Sequence, residues 1–178
     1  AHGHADALSI LFQTGGQEVL ADTGTFAYSG HPDWRRYFRG TSAHNTVGVD
    51  GLDQAVQESG FQWSSPFNSC LAFREEHANG ETVLVAMHDG YLQRTGVIHW
   101  RGLLYRPPDL WIIFDRLTGS GIHDLELNWH LGLTPIPDGN GYLLEGGESR
   151  IRLTIEGGTV AVHRGNTAPI LGWRSRSY

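Results

Sequence analysis

At 178 residues the chain is long enough for one good hydrophobic core and short for two. Its 13 basic and 19 acidic residues leave a net charge of −6 with no basic run, which argues against a nucleic-acid or anionic-membrane partner. The single cysteine, Cys70, excludes an internal disulfide and a cysteine-based zinc knuckle, and no apolar run is long enough to span a bilayer.

The chain opens on Ala1-His2-Gly3-His4-Ala5-Asp6. In an extended backbone, residues two apart share a face, so His2, His4 and Asp6 can project toward one locus. The chain starts without Met and its most chemical motif sits at residue 2, so we expect a piece of a longer protein, in which a missing signal peptide carries no information. Residues 8–13 and 18–22 flank Thr14-Gly15-Gly16-Gln17, a hairpin signal. A two-residue loop pairs opposite parities and turns Asp22 away from His4. A three-residue loop with a glycine bulge pairs like parities and brings them to one face. The spacing leaves both open.

Residues 26–42 read as irregular and rich in contact-making side chains, with a helical turn over 33–38 after Pro32. Residues 46–50 alternate as a strand that stops at Asp50-Gly51. Residues 53–69 are polar and read as a surface loop with Trp63 tucked inward. Strands resume at about 70–77, 82–88, 97–106, 110–116 and 124–131, then 142–145, 149–156 and 159–164. Asn79-Gly80 signals a type I′ hairpin, Pro107-Pro108-Asp109 and Gly157-Gly158 further turns. No stretch of ten residues holds a 3.6 period. The expected fold is all-β, an antiparallel β-sandwich of two stacked sheets with little helix, as one domain over residues 1–178.

Three short clusters carry chemistry: His2/His4, Asp22 before Thr23-Gly24-Thr25, and His44 within Ser42-Ala43-His44-Asn45-Thr46. Asp before Thr-Gly is often a simple Asx-turn, and a buried histidine often only satisfies its own hydrogen bonds. Together, His4, Asp22 and His44 form a His/Asp/His set of the kind that holds a divalent metal, zinc first, with a fourth position open. Trp34, Arg35, Arg36, Tyr37 and Arg39 suit an acidic carbohydrate. Guanidinium groups take carboxylates or sulfates in bidentate fashion, and aromatic faces stack on sugar rings. The competing reading is a helical turn with a solvated basic face. The histidines at 31, 77, 88, 99, 123 and 163 read as surface or strand-face residues, and His130 as a secondary candidate. No Gly-x-Ser-x-Gly elbow and no phosphate-binding glycine loop is present.

The blocks His2-Gly3-His4-Ala5-Asp6-Ala7-Leu8, Leu20-Ala21-Asp22-Thr23-Gly24-Thr25 and Tyr37-Phe38-Arg39 leading into Ala43-His44-Asn45-Thr46-Val47 resemble the heparinase II/III-like family in order and spacing. His88-Asp89-Gly90-Tyr91 and the segment from Trp111 to Arg116 fit as well. The resemblance is dense over the first 50 residues and diffuse beyond. It implies a polysaccharide lyase acting on uronate-containing glycans, with an N-terminal α/α toroid and a C-terminal all-β region, of which this chain is the latter. By position, His2 matches a histidine that assists catalysis, and His4, Asp22 and His44 match the ligands of a zinc ion near the active site. The main catalytic tyrosine would come from the toroid, so we expect the chain alone to be inactive. An envelope or periplasmic location follows from that substrate class.

Two other classes stand beside this one. A cupin-type metal enzyme would want a glutamate soon after the second histidine, where Leu8 and Ser9 stand. A non-catalytic carbohydrate-binding sandwich would use Trp34 and Tyr37 as its platform. Hydrolysis would need a carboxylate pair, and none stands out.

Overall fold

Residues 3–175 are described in a computed structural model. The leg over residues 3–11 is not a strand. Ser9 N–H bonds the Asp6 carbonyl at 2.9 Å and Leu8 turns through a left-handed φ of 60°, so the alternation there does not become a sheet. Strands β1 (Phe12–Thr14) and β2 (Gln17–Leu20) form the expected hairpin. Gly15 and Gly16 take φ of 54° and 73°, which a tight two-residue turn requires and other residues resist. Thr14 faces Gln17 and Gln13 faces Glu18, and then a bulge at Val19 sets Phe12 opposite Leu20. The hairpin thus combines both alternatives: a two-residue loop, with like parity restored by the bulge.

Helix α1 (Pro32–Arg39) starts at a proline with no side chain capping its N-terminus, and one 3-10 turn (Thr41–Ala43) follows. β3 (Val47–Val49) stops at Asp50 and Gly51, with φ of 53° and 67°. The stretch expected as a surface loop instead folds into β4 (Val56–Gln57) and β5 (Trp63–Ser64), and it buries Gln54 and Gln57. Polar side chains there look solvated in sequence, yet both glutamines act as internal hydrogen-bonding struts.

β6 (Ser69–Glu76), β7 (Thr82–His88), β8 (Ile98–Arg106) and β9 (Leu110–Thr118) form a four-stranded antiparallel sheet in chain order, with short helix α2 (Leu92–Thr95) between β7 and β8. The β6–β7 turn is not type I′. Gly80 alone is left-handed, its N–H bonding the His77 carbonyl at 2.9 Å, and His77 N–H bonds the Glu81 carbonyl at 2.8 Å. β10 (Leu125–Leu127) pairs with β3, shorter than expected. β11 (Pro135–Asp138), β12 (Gly141–Gly146) and β13 (Ser149–Thr154) form a three-stranded sheet, and β14 (Asn166–Thr167) pairs with β15 (Ile170–Leu171). The strand expected over 159–164 does not form; its alternating residues find no partner strand. The fold is all-β and sandwich-like, with every named strand pair antiparallel. Among the described residues, no helix is long and apolar enough to cross a membrane.

The core lies where residues 5–57 meet the His88 end of the large sheet. Tyr37, Phe38 and Ala43 form one buried cluster, and Val49, Tyr91 and Val97 another. Beside the second cluster, where the His88 and Tyr91 rings lie 5.4 Å apart, runs a buried polar chain that includes His88 and His99, which in sequence read as surface or strand-face histidines. Gly90 N–H donates to His88 Nδ1 at 3.2 Å, so His88 carries its proton on Nε2 and donates to His99 Nδ1 at 3.0 Å. His99 in turn donates from Nε2 to Asp115 Oδ1 at 2.7 Å. Arg101 grips Asp115 bidentately at 2.7 and 2.9 Å. Burial pushes the Asp115 carboxyl up, but the bonds from His99 and Arg101 outweigh it and hold it below its usual range. One backbone amide thus fixes the tautomers of two buried histidines.

Burial, aided by the charges of His99 and Arg101, lowers His88 to about 3. The unfolded chain therefore binds one more proton here below pH ~6.5, and stability falls as pH drops toward the folded value. Urea denaturation in chelator between about pH 7 and pH 5 should show a loss on the order of 1 kcal/mol per pH unit from His88, and His88→Gln should flatten the profile. Gly132 makes a second test. Its N–H bonds the Val19 carbonyl at 3.0 Å, and a Cβ there would sit 2.2 Å from the Glu18 carbonyl oxygen. Gly132→Ala should cost about 1–3 kcal/mol in the same assay, because backbone must shift.

Candidate metal centre

The segment that carries His4 and Asp6 is strapped in place by one backbone bond and several side chains rather than by a sheet. Ala5 N–H bonds the Arg39 carbonyl at 2.9 Å, and Thr41 Oγ1 donates to the Ala5 carbonyl at 3.0 Å. Gln54 closes both sides of Ala7: its Oε1 accepts Ala7 N–H at 2.8 Å and its Nε2 donates to the Ala7 carbonyl at 3.0 Å. Thr46 Oγ1 adds a bond to the same carbonyl at 2.9 Å. A buried amide that satisfies both backbone groups of one residue fixes local geometry tightly.

Asn45 ties that segment to the other two blocks. Its Nδ2 donates to the carbonyls of Ile10 at 2.9 Å and Ala21 at 3.0 Å, and its Oδ1 accepts His130 N–H at 2.6 Å. Its own N–H bonds Ser9 Oγ at 3.1 Å, and its carbonyl accepts from Arg101 Nη1, which also reaches the Leu8 carbonyl at 2.8 Å. The neighbours of Asn45 in space are therefore the residues flanking His4, Asp22 and His44. Sequence reasoning singled out His44 and passed over Asn45 and Gln54, because neither carries a signal beyond being a polar residue beside a motif.

His4, Asp6 and His44 each place one ligand-capable atom within 4.8 Å of the others. The two imidazole rings lie 5.2 Å apart, tilted by 38°. His44 is 2% exposed, and its Nε2 is buried without a hydrogen-bond partner. The only hydrogen bond of the His4 ring among the described residues is a long one, from Nε2 to Thr25 Oγ1 at 3.5 Å. Asp22 stands beside this group. Its Oδ1 accepts Gly24 N–H at 2.6 Å in an Asx-turn, while Oδ2 lies 3.8 Å from His44 Nδ1. The turn and the approach to His44 thus coexist, one on each carboxylate oxygen.

Electrostatics keep both rings in the neutral, ligand-competent form. Burial, reinforced by His4, lowers His44 to about 4 against the opposing pull of Asp22. Burial also lowers His4, and Asp6 and Asp22 oppose it. The carboxyl of Asp6 is raised, first by desolvation, with His4 opposing. Two neutral imidazoles with under-used nitrogens and two carboxylates form a donor set that fits a divalent cation of the zinc type. His130, half-buried, donates from Nε2 to the Ser42 carbonyl at 3.0 Å and serves as a strut behind His44.

The remaining residues selected from sequence separate. His2 lies outside the described residues. Trp34 packs edge-on against Trp173 at 5.0 Å, and Tyr37 lies in the core beside Phe38. Arg39 is fully buried, its guanidinium 4.5 Å above the Trp63 ring and one bond reaching the Ser59 carbonyl at 2.8 Å. Arg35 is buried on the same side of α1, and Arg36 faces solvent.

Replacing Asn45 should therefore loosen all three blocks together. Asn45→Asp keeps the shape and the acceptor for His130 but loses both donors. It should cost about 2–4 kcal/mol in chelator-treated protein, measured by urea denaturation, as buried carbonyls of Ile10 and Ala21 are left unmet. A cost near zero would mean that the three blocks hold together without it.

The sequence matches the Heparinase II/III-like, C-terminal family over residues 1–177. No curated protein and no solved structure matches the chain. The family match runs through the three site-bearing blocks and on through the sheets that hold them, and so the chain belongs to the heparinase II/III-like C-terminal family, a domain family of polysaccharide lyases.

Proposed function

We propose that this domain forms one side of the active cleft of a lyase that cleaves uronate-containing polysaccharides by β-elimination, its other side being an N-terminal α/α toroid. The observation that carries the reading is the His4/Asp6/His44 group, with Asp22 beside it, in a chain of this family. In this reading His4, Asp22 and His44 bind a structural zinc ion, with Asp6 as a further carboxylate at the same locus. The ion would brace the N-terminal leg against the Asp22 turn and the His44 loop.

β-Elimination removes the C5 proton of the uronate, forms the C4–C5 double bond and expels the C4 oxygen, which takes up a proton. The C5 proton is only weakly acidic, so the cleft must neutralise the carboxylate, accept that proton and protonate the leaving oxygen. His2 is two residues from His4, and bracing His4 limits where His2 can go. A histidine with an ordinary pKa near 6.5 can hydrogen-bond the uronate carboxylate or assist proton removal. Toroid residues would supply the principal acid and base, so the isolated domain is expected to be inactive. The charges of the buried Arg35 and Arg39, which together with burial lower the basicity of His4, support the reading that an anionic sugar lies nearby.

In the parent protein, His2→Ala should lower kcat by about 100-fold or more with zinc content unchanged, read from the ultraviolet absorbance of the unsaturated uronate product. Full activity in that variant would remove His2 from the reaction.

A further inference from the structure

Trp63 touches the N-terminal leg directly, although it is no ligand and lies on the separate β4–β5 ribbon. Its indole Nε1–H donates to the Gly3 carbonyl at 3.0 Å, a bond that spans 60 residues of chain. The Arg39 guanidinium lies 4.5 Å from the centroid of its ring, within cation–π range.

Arg39 is the second half of the same clamp. It is fully buried, its Nη1 donates to the Ser59 carbonyl at 2.8 Å, and its Nε and Nη2 have no hydrogen-bond partner. Burying a guanidinium with two unmet nitrogens is unfavourable, and the Trp63 ring face offsets part of that cost. The backbone carbonyl of Arg39 meanwhile accepts Ala5 N–H at 2.9 Å. Arg39 and Trp63 therefore hold the leg at Ala5 and at Gly3, on either side of His4.

The ribbon beneath the indole is itself fixed. Gln57 on β4 pairs with Trp63 on β5, and Gln57 Nε2 donates to the Arg36 carbonyl and to Asp53 Oδ2, each at 2.9 Å. The indole thus projects from a frame shared with α1. Gly3 needs such a restraint. No described atom lies within 4 Å of where its Cβ would be, and glycine has more backbone freedom to lose than any other residue. Neither packing nor a side chain holds the leg there, and the indole bond does.

We infer that Trp63 is a positioning residue for the proposed elimination: its indole N–H fixes the Gly3 carbonyl and so the place from which His2 acts. The inference rests on the role proposed for His2 above. It goes beyond the metal brace, because this restraint needs no ion.

Trp63→Phe tests it, since an aromatic ring stays beside Arg39 and the N–H is lost. In the parent protein it should lower kcat about tenfold with KM and zinc content unchanged, because a misplaced reacting group slows chemistry without weakening substrate binding. In a His2→Ala background the same substitution should change kcat by less than about twofold, since its effect passes through His2. A merely structural role would give additive losses. An unchanged kcat in Trp63→Phe, or a full second loss in the His2→Ala background, would overturn the inference. Two NMR measurements on the isolated chain in chelator read the anchor without activity. The unaltered chain should show a nuclear Overhauser effect between the Trp63 indole proton and the Gly3 α-protons, and the Gly3 amide should lose order in Trp63→Phe. Failure of either would remove the anchor and leave the lyase reading standing. A fully active His2→Ala enzyme with the anchor present would instead sink the role of His2, and with it that of Trp63.

Discussion

The site depends on one side chain that is not itself a candidate ligand. Asn45 is fully buried and holds five polar contacts, to Ser9, Ile10, Ala21, His130 and Arg101. Each of the first three lies in or next to a segment that carries a member of the cluster. A metal centre built from three separate loops faces an ordering cost for each of them. In these three loops the protein's own bonds offset that cost, because the Asn45 amide and the backbone groups it meets are buried and must be paired.

Behind Asn45 stands the large sheet. Arg101 reaches from β8 to the Leu8 and Asn45 carbonyls, and its own orientation is set by Asp115 on β9. His99 and His88 extend the chain of bonds to the Asp89–Gly90 turn after β7. The sheet thus does more than fill volume. It presents a rigid, fully bonded polar edge against which irregular backbone can be pinned. On the other side, Thr41 and Gln54 do the same for Ala5 and Ala7. Holding these loops by such struts leaves Nε2 of His44 without a hydrogen-bond partner.

Much of the fold was legible because strand signals are local. The strand over 82–88 appears with its expected ends, and the sheet pairing of β6 through β9 follows from short turns between alternating runs. The failures have physical causes. The 8–13 run is apolar, but its neighbours tie it into a turn at Leu8, so polar anchoring defeats the alternation. The 53–69 stretch looked like a solvated loop because burial of Gln54 and Gln57 depends on partners more than a dozen residues away. His88 and His99 looked like surface histidines because their pairing spans two strands. Among the site residues, the rings of His4 and His44 lie 5.2 Å apart, a proximity between segments 40 residues apart that no local signal gives. The proximity of Asp22 rests on a bulge at Val19, which no local signal announces. Asp6 lies within 4.8 Å of His4 and His44 in a leg that is not a strand.

In the reading above, the three blocks form a metal centre. Elemental analysis of the purified chain after zinc loading and desalting tests it most directly, beside His4→Ala, His44→Ala, Asp22→Ala and Asp6→Ala. The account predicts about one zinc per chain in the parent sequence, lost in both histidine variants and weakened in at least one aspartate variant. No retained zinc, or the same zinc content in His4→Ala and His44→Ala as in the parent, would contradict it.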